Sequence, residues 1–241
     1  MQDYLDILAI GGHPDDVEIG VGGLLLRCAD LGYKTGICDL TRGELGTRGT
    51  PEIRLQEAQA AQEILGVHVR RNLDLGDGRL ELNIPSRHAL ARLIRELKPR
   101  FIVGPYPHDR HPDHVAAGMI MKYAAYDSRT IRLDLGWPPH TVLGMFYFPS
   151  HRYKRPSFAV DITSCFDKKM EAIKAYTSQF GDLTPPYPGY VFMGVPDFIF
   201  AIETRSRQFG AEIRVKYGEG FYMENSIPLH DPYHLLVNPP G

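Results

Sequence analysis

Three groups able to bind a cation or move a proton crowd the stretch AIGGHPDDVEIG at residues 9–20: His13, Asp15 and Asp16. They follow a short apolar run and precede a stretch that reads as a helix, so they occupy a strand-to-helix junction. In a loop of that kind, residues three apart can turn toward one point. Either ring nitrogen of His13 and an oxygen of Asp16 can then meet one cation while Asp15 points elsewhere. A histidine with a carboxylate is half of a hydrolytic zinc site. Taken alone, HPDD is equally explained by a solvated loop, or by Asp15 or Asp16 capping a helix.

A second cluster, PHDRHPDHVAAG at 107–118, packs three of the ten histidines into seven residues at the same kind of place. Its HPDH repeats the chemistry of HPDD, and adjacent parallel strands would bring the two loops together, with His114 as a third ligand. A His/Asp/His set leaves one coordination position open for water, which separates a catalytic zinc from a closed structural one. Water bound there, with its pKa lowered to about 7, is a nucleophile at neutral pH. Asp15 is placed to be its base. His111 is the candidate for protonating a leaving amine or steadying an oxyanion, with Asp109 or Asp113 to set its tautomer. Arg54 offers a permanent cation for a developing negative oxygen. The plainer expectations are that His13 and His114 are satisfied core or capping histidines, that Asp113 caps a helix, that Asp109 is solvent-exposed, and that Arg54 is a solvated helix residue.

The elements that must position these groups follow from punctuation and periodicity. YLDILAIGG reads as a buried strand, VEIGVGGLLLRCADLG as a helix closing at Gly32, and KTGICDLT as a second strand. GTPEIRLQEAQAAQEILG has Thr50 as N-cap, Pro51 at the first helical position and Gly66 just past the end. HVRRNLDL, PSRHALARLIRELKP and FIVGPY continue as strand, helix and strand. The resulting βαβαβαβ order calls for a mostly parallel sheet covered by helices, with ligands at the carboxyl ends of the strands. Beyond residue 130, HTVLGMFYF and SFAVDIT read as strands. SCFDKKMEAIKAYTSQF reads as one helix, VPDFIFAIETRSRQFG as another with Gly210 past its end, and the rest as a Pro- and Tyr-rich loop and a tail. Gly20, Gly22 and Gly23 fall inside the first helix, so close helix packing explains them better than a dinucleotide fingerprint. No repeat or linker divides residues 1–241, and a single domain is expected.

With 241 residues, 43% of them hydrophobic, the chain can bury a full core. Its 27 basic and 29 acidic residues give a formal net charge of −2, which asks for neither nucleic acid nor a membrane surface as partner. No segment approaches a membrane span and no basic region precedes an apolar one at the N-terminus, so a cytoplasmic location is expected. Cys28, Cys38 and Cys165 are odd in number and widely spaced, and are expected in the core.

Together GGHPDDVEIGVGG, CDLTRGELGTRGTPEIRLQEA and PHDRHPDH resemble the LmbE/PIG-L deacetylases, specifically the bacillithiol-biosynthesis type, over about residues 5 to 120. AYTSQF and VKYGEGF extend the resemblance more weakly. It implies a Rossmann-like α/β fold, which fits the reading of a mostly parallel sheet with helices on both faces and, beyond residue 130, an irregular C-terminal layer. It also implies a zinc-dependent hydrolase that frees the amine of an N-acetylglucosaminyl conjugate, in this subgroup N-acetylglucosaminyl L-malate. Inositol conjugates or chitobiose are the other substrates within the family's chemistry. The metal ligands implied are His13, Asp16 and His114 and the base is Asp15. His111 and Arg54 are implied at the oxyanion and substrate, and Tyr190 as a mobile-loop residue, with Tyr187 the alternative. Fe2+ suits the same ligands as Zn2+. The family implies a homo-oligomer, often a hexamer, acting on a small molecule. Two other classes compete: a non-haem iron oxygenase using the same triad, which the βα alternation disfavours, and a sugar- or nucleotide-binding module needing no stoichiometric metal.

Overall fold

Alternate residues of the first strand, β1 (Ile7–Gly11), enter two different cores: Ala9 faces one and Leu8 and Ile10 face the other. A strand buried on both faces reads as a continuous apolar run, as this one does. The computed structural model describes residues 4–181 and 198–226. Around β1 it builds α1 (Asp16–Asp30), β2 (Thr35–Asp39), α2 (Pro51–Leu65), β3 (Val69–Asn72), α3 (Ile84–Leu97), β4 (Phe101–Pro105), α4 (Pro112–Arg129) and β5 (Gly144–Phe148). The five strands form one parallel sheet in the order β3-β2-β1-β4-β5. Helices α3 and α4 cover one face, and α1 with the C-terminal helices covers the other. The Rossmann-like expectation holds.

Strand order reverses between β1 and β4, the position where loops leaving neighbouring strands diverge and open a crevice. Both His-Pro-Asp loops flank that crevice. The caps expected for α2 form: Thr50 accepts from Ile53 N–H, Pro51 is the first helical residue and Gly66 takes the left-handed conformation. All three cysteines are free and buried.

The C-terminal layer consists of β6 (Phe158–Asp161), α5 (Phe166–Lys174), α6 (Thr177–Phe180), α7 (Phe198–Glu212) and β7 (Gly218–Phe221), with β6 and β7 paired antiparallel. Here three expectations are corrected. The helix expected over 164–180 breaks into α5 and α6 at Tyr176, whose buried hydroxyl reaches Glu18 at 3.2 Å and Arg70 at 3.0 Å. After the break, Ser178 N–H donates to Glu57 at 2.6 Å, satisfying a donor the new helix start would leave orphaned. Gly210 lies inside α7, not past its end; it is glycine there for packing, since a Cβ would sit 2.7 Å from Val215 O. GEGF, read as tail, is strand β7. Its glycines lie so close to α7 that a Cβ on Gly220 would sit 2.5 Å from the Phe209 ring. Glu219 between them accepts from Gly23 N–H and Leu24 N–H of α1 and pairs with Lys169 at 2.7 Å.

Candidate active site

Loops at the carboxyl ends of all five parallel strands converge on one cleft of about 530 Å3. The loop after β1 brings His13, Asp15 and Asp16. The segment after β2 brings Arg54 in the first turn of α2, the loop after β3 brings Asp77, the loop after β4 brings Asp109 to His114, and the loop after β5 brings His151.

His13, Asp16 and His114 meet as the spacing predicts, their ligand atoms lying within 4.8 Å of one another. His13 Nδ1 is 3.4 Å from Asp16 Oδ2, and His114 Nε2 is 3.2 Å from Asp16 Oδ1. Four donors held tetrahedrally about zinc stand about 3.3 Å apart, so these separations suit an ion at the common point. The far sides of both rings face carboxylates, the arrangement that orients metal-binding histidines. His13 Nε2 lies 3.1 Å from Asp77 and 3.2 Å from Asp113, and His114 Nδ1 lies 3.3 Å from Asp109. That last contact lacks hydrogen-bond geometry, leaving His114 Nδ1 a buried polar atom without a partner. Gly12 keeps the centre open: a Cβ there would lie 3.2 Å from Asp16 Oδ2 and 3.4 Å from the His114 ring.

Electrostatics also fit a cation. Burial disfavours charge on every group here, yet the surrounding carboxylates hold His13 protonated well above its usual range. Against the same burial, Asp16 raises His114 to about 9, and the two imidazoles keep Asp16 well below the carboxylate range. A site that draws protons onto two buried imidazoles is one where a dication would be welcome.

Asp15 stands at the start of α1 without capping it, in a left-handed conformation with φ of 108° that a non-glycine residue adopts only under constraint. Its carboxylate accepts from Arg54 Nη2 at 2.9 Å. Arg54 also donates to Pro14 O and is itself buried, so the expectation of a solvated helix residue is overturned. Burial pushes the Asp15 carboxyl up to about 7, and the Arg54 cation keeps it from rising further.

Three expectations for the second loop change. His111, not Asp113, caps α4: its Nδ1 accepts from Asp113 N–H at 3.2 Å. The ring's free proton therefore belongs on Nε2. Burial, with the neighbouring His114 and His13 cations, lowers its pKa and keeps it neutral. The Asp113 carboxylate turns to His13 and to Gly78 N–H. The Asp109 side chain is turned away from solvent, 2% exposed, and accepts from His111 N–H, His151 N–H and the His151 ring. Burial would raise its carboxyl, but the contacts from His114 and His151 outweigh that and hold it well below the usual range.

Sequence reading did not single out Asp77 or His151. Their one available signal was position: each follows a strand at the same end of the sheet as the two clusters. Tyr190 and its alternative Tyr187 lie outside the described residues. Among the described residues, no helix is long and apolar enough to cross a membrane.

Comparison with known proteins agrees with this geometry. Residues 8–125, which carry every site residue named above except His151 and the two tyrosines, match the PIG-L family, GlcNAc-PI de-N-acetylase. A diacetylchitobiose deacetylase of Thermococcus kodakarensis is 29% identical over 95% of this chain and 86% of its own length. A probable N-acetyl-alpha-D-glucosaminyl L-malate deacetylase 2 of Bacillus subtilis is 30% identical over 72% of this chain and 82% of its own. The crystal structure of the conserved protein TT1542 from Thermus thermophilus superposes with a TM-score of 0.86 at 36% identity, covering 95% of this chain and 99% of that one. With relatives at this identity aligned over most of their own lengths, and the matched segment holding both His-Pro-Asp loops, this chain belongs to the PIG-L/LmbE deacetylase family.

Proposed function

We propose that the chain is a zinc-dependent N-deacetylase acting on an N-acetylglucosaminyl conjugate, with N-acetylglucosaminyl L-malate as its substrate. The observation that carries the reading is the convergence of His13, Asp16 and His114 on one point, with the buried Asp15 carboxylate beside them. An ion held by those three would act as a Lewis acid and lower the pKa of water to about 7.

The chain's own groups supply the rest. Asp15, poised near neutrality, accepts the proton of the attacking water, and Arg54 holds the carboxylate in place. Water oxygen bonds to the acetyl carbon, and negative charge grows on the amide oxygen. The C–N bond then breaks as Asp15 passes the proton it took from water to the amine nitrogen, while His111 Nε2–H donates a hydrogen bond to the oxyanion, leaving acetate and a free glucosamine. The backbone N–H of Asp113 fixes the tautomer this requires.

Two observations bear on the sugar's partner. The loop motifs resemble the malate-conjugate subgroup, and a relative of that name matches 72% of the chain. The diacetylchitobiose deacetylase matches 95%, including the C-terminal layer that borders the cleft, and makes N,N'-diacetylchitobiose the second reading. Release of free amine from N-acetylglucosaminyl malate, N,N'-diacetylchitobiose and an N-acetylglucosaminyl inositol tests both. The expected result is turnover fastest with the malate conjugate, abolished by chelation and restored by Zn2+. Faster chitobiose turnover replaces the first reading with the second. No amine from any of the three, with the metal loaded, overturns the proposal.

A further inference from the structure

His151 lies outside the family-matched segment, follows β5, and has no part in the chemistry above. Its ring stacks on the metal-site residue His114, with centroids 5.2 Å apart and planes 11° from parallel. Asp109 fixes it twice: Oδ2 accepts from His151 N–H at 2.9 Å, and Oδ1 engages ring Nδ1 at 2.7 Å. The loop is also clamped from the far side, where Arg205 of α7 donates to the carbonyls of Pro149 and Ser150. With Nδ1 engaged, the ring's other nitrogen, Nε2, has no hydrogen-bond partner among the described residues, and the side chain, 15% exposed, lines the cleft.

A buried carboxylate that orients an imidazole, with backbone held on both sides and one ring nitrogen left facing a cleft, is a preorganised hydrogen-bonding group. The cleft is larger than an acetyl group needs, and His151 stands one ring beyond the ligand histidine. We propose that His151, oriented by Asp109, is a substrate-binding residue whose Nε2 hydrogen-bonds a hydroxyl of the sugar while the acetyl group occupies the metal site. This rests on the proposed function. Such a contact exists in ground and transition states alike, so its loss raises KM and leaves kcat nearly unchanged.

Three variants of the full chain separate this role from a structural one. Asparagine places its amide near the position of Nδ1 and can still satisfy Asp109. Glutamine reaches the position of Nε2. With zinc loaded and the best substrate of the panel, His151→Ala is expected to raise KM roughly three- to tenfold with kcat within about twofold. His151→Gln should recover most of the loss and His151→Asn little of it. Rescue by asparagine as good as by glutamine, or parental KM in all three, overturns the proposal. So does a fall in kcat alone.

Zinc content is measured alongside, because Asp109, His114 and His151 also hold donor atoms within 4.8 Å of one another. One ion per chain in both the parent and His151→Ala is expected. A second ion lost with His151 would make the cluster a metal site and sink the sugar contact. If the parent deacetylates nothing, the proposed function fails first. Calorimetry with N,N'-diacetylchitobiose then decides His151: weakening confined to the Ala and Asn variants supports it, and no parental binding overturns it.

Discussion

The tetrapeptides His13-Pro14-Asp15-Asp16 and His111-Pro112-Asp113-His114 stand at the ends of adjacent parallel strands, yet they distribute their work differently. In the first, positions one and four converge on the candidate metal point and position three is the proposed base. In the second, only position four faces it, position one caps a helix and position three braces His13 from behind. The cause is where each helix begins. Helix α1 starts at Asp16, the fourth position, after a residue forced into the left-handed region, whereas α4 starts at Pro112, the second. Two residues' difference in helix start rotates every later side chain. Similar residue types therefore supply an Arg54-paired carboxylate from one loop and a brace from the other.

The helices behind the loops are anchored by different means. Helix α4 packs broadly on α3 through apolar residues such as Leu90, Ile94, Ile120 and Met121. Behind α1, by contrast, sits a buried ion pair, with Lys169 donating to Ile19 O and Glu219 accepting from Gly23 and Leu24 N–H.

Substituting the fourth positions should break the site most completely. Asp16→Ala and His114→Ala should each lose stoichiometric zinc by metal analysis, and with it detectable deacetylation. The third positions should then part company. Asp15→Asn should keep its zinc and lose about 10²- to 10⁴-fold in kcat, the usual worth of a general base. An Asp15→Asn protein of parental rate ends that assignment. Asp113→Asn should weaken zinc affinity by about 10- to 100-fold, as loss of a ligand's outer partner does, with kcat at saturating zinc far less affected. Anchorage predicts a stability effect. Lys169→Met leaves Glu219 buried and unpaired and should cost about 3–5 kcal/mol in denaturant unfolding. Removing the α2 cap with Thr50→Ala should cost only about 1 kcal/mol.

How much of this was legible beforehand depended on the range of the interaction. The caps of α2 and the apolar run of β1 are local, and their residues declare them. Both ligand loops were legible because each places its donors within a few residues of a strand end. Strand β7 was not, since Phe209 of α7 demands glycine at Gly220 and so erases the alternation that marks a strand. Nor was the break at Tyr176, which answers to Glu18 and Arg70, both more than a hundred positions away.

The sequence by itself determined the chemistry at hand: two strand-end loops carrying imidazoles and carboxylates, and a βα order that sets strands parallel so that those ends share one side. Tertiary structure alone decided what each group does. Burial raises Asp15 toward neutrality, Arg54 turns inward to hold it, and Asp109 leaves solvent to orient His151, 42 residues further along the chain. Charge and hydrogen-bonding state depend on solvent exclusion and on neighbours distant in sequence, and both exist only once the sheet has assembled.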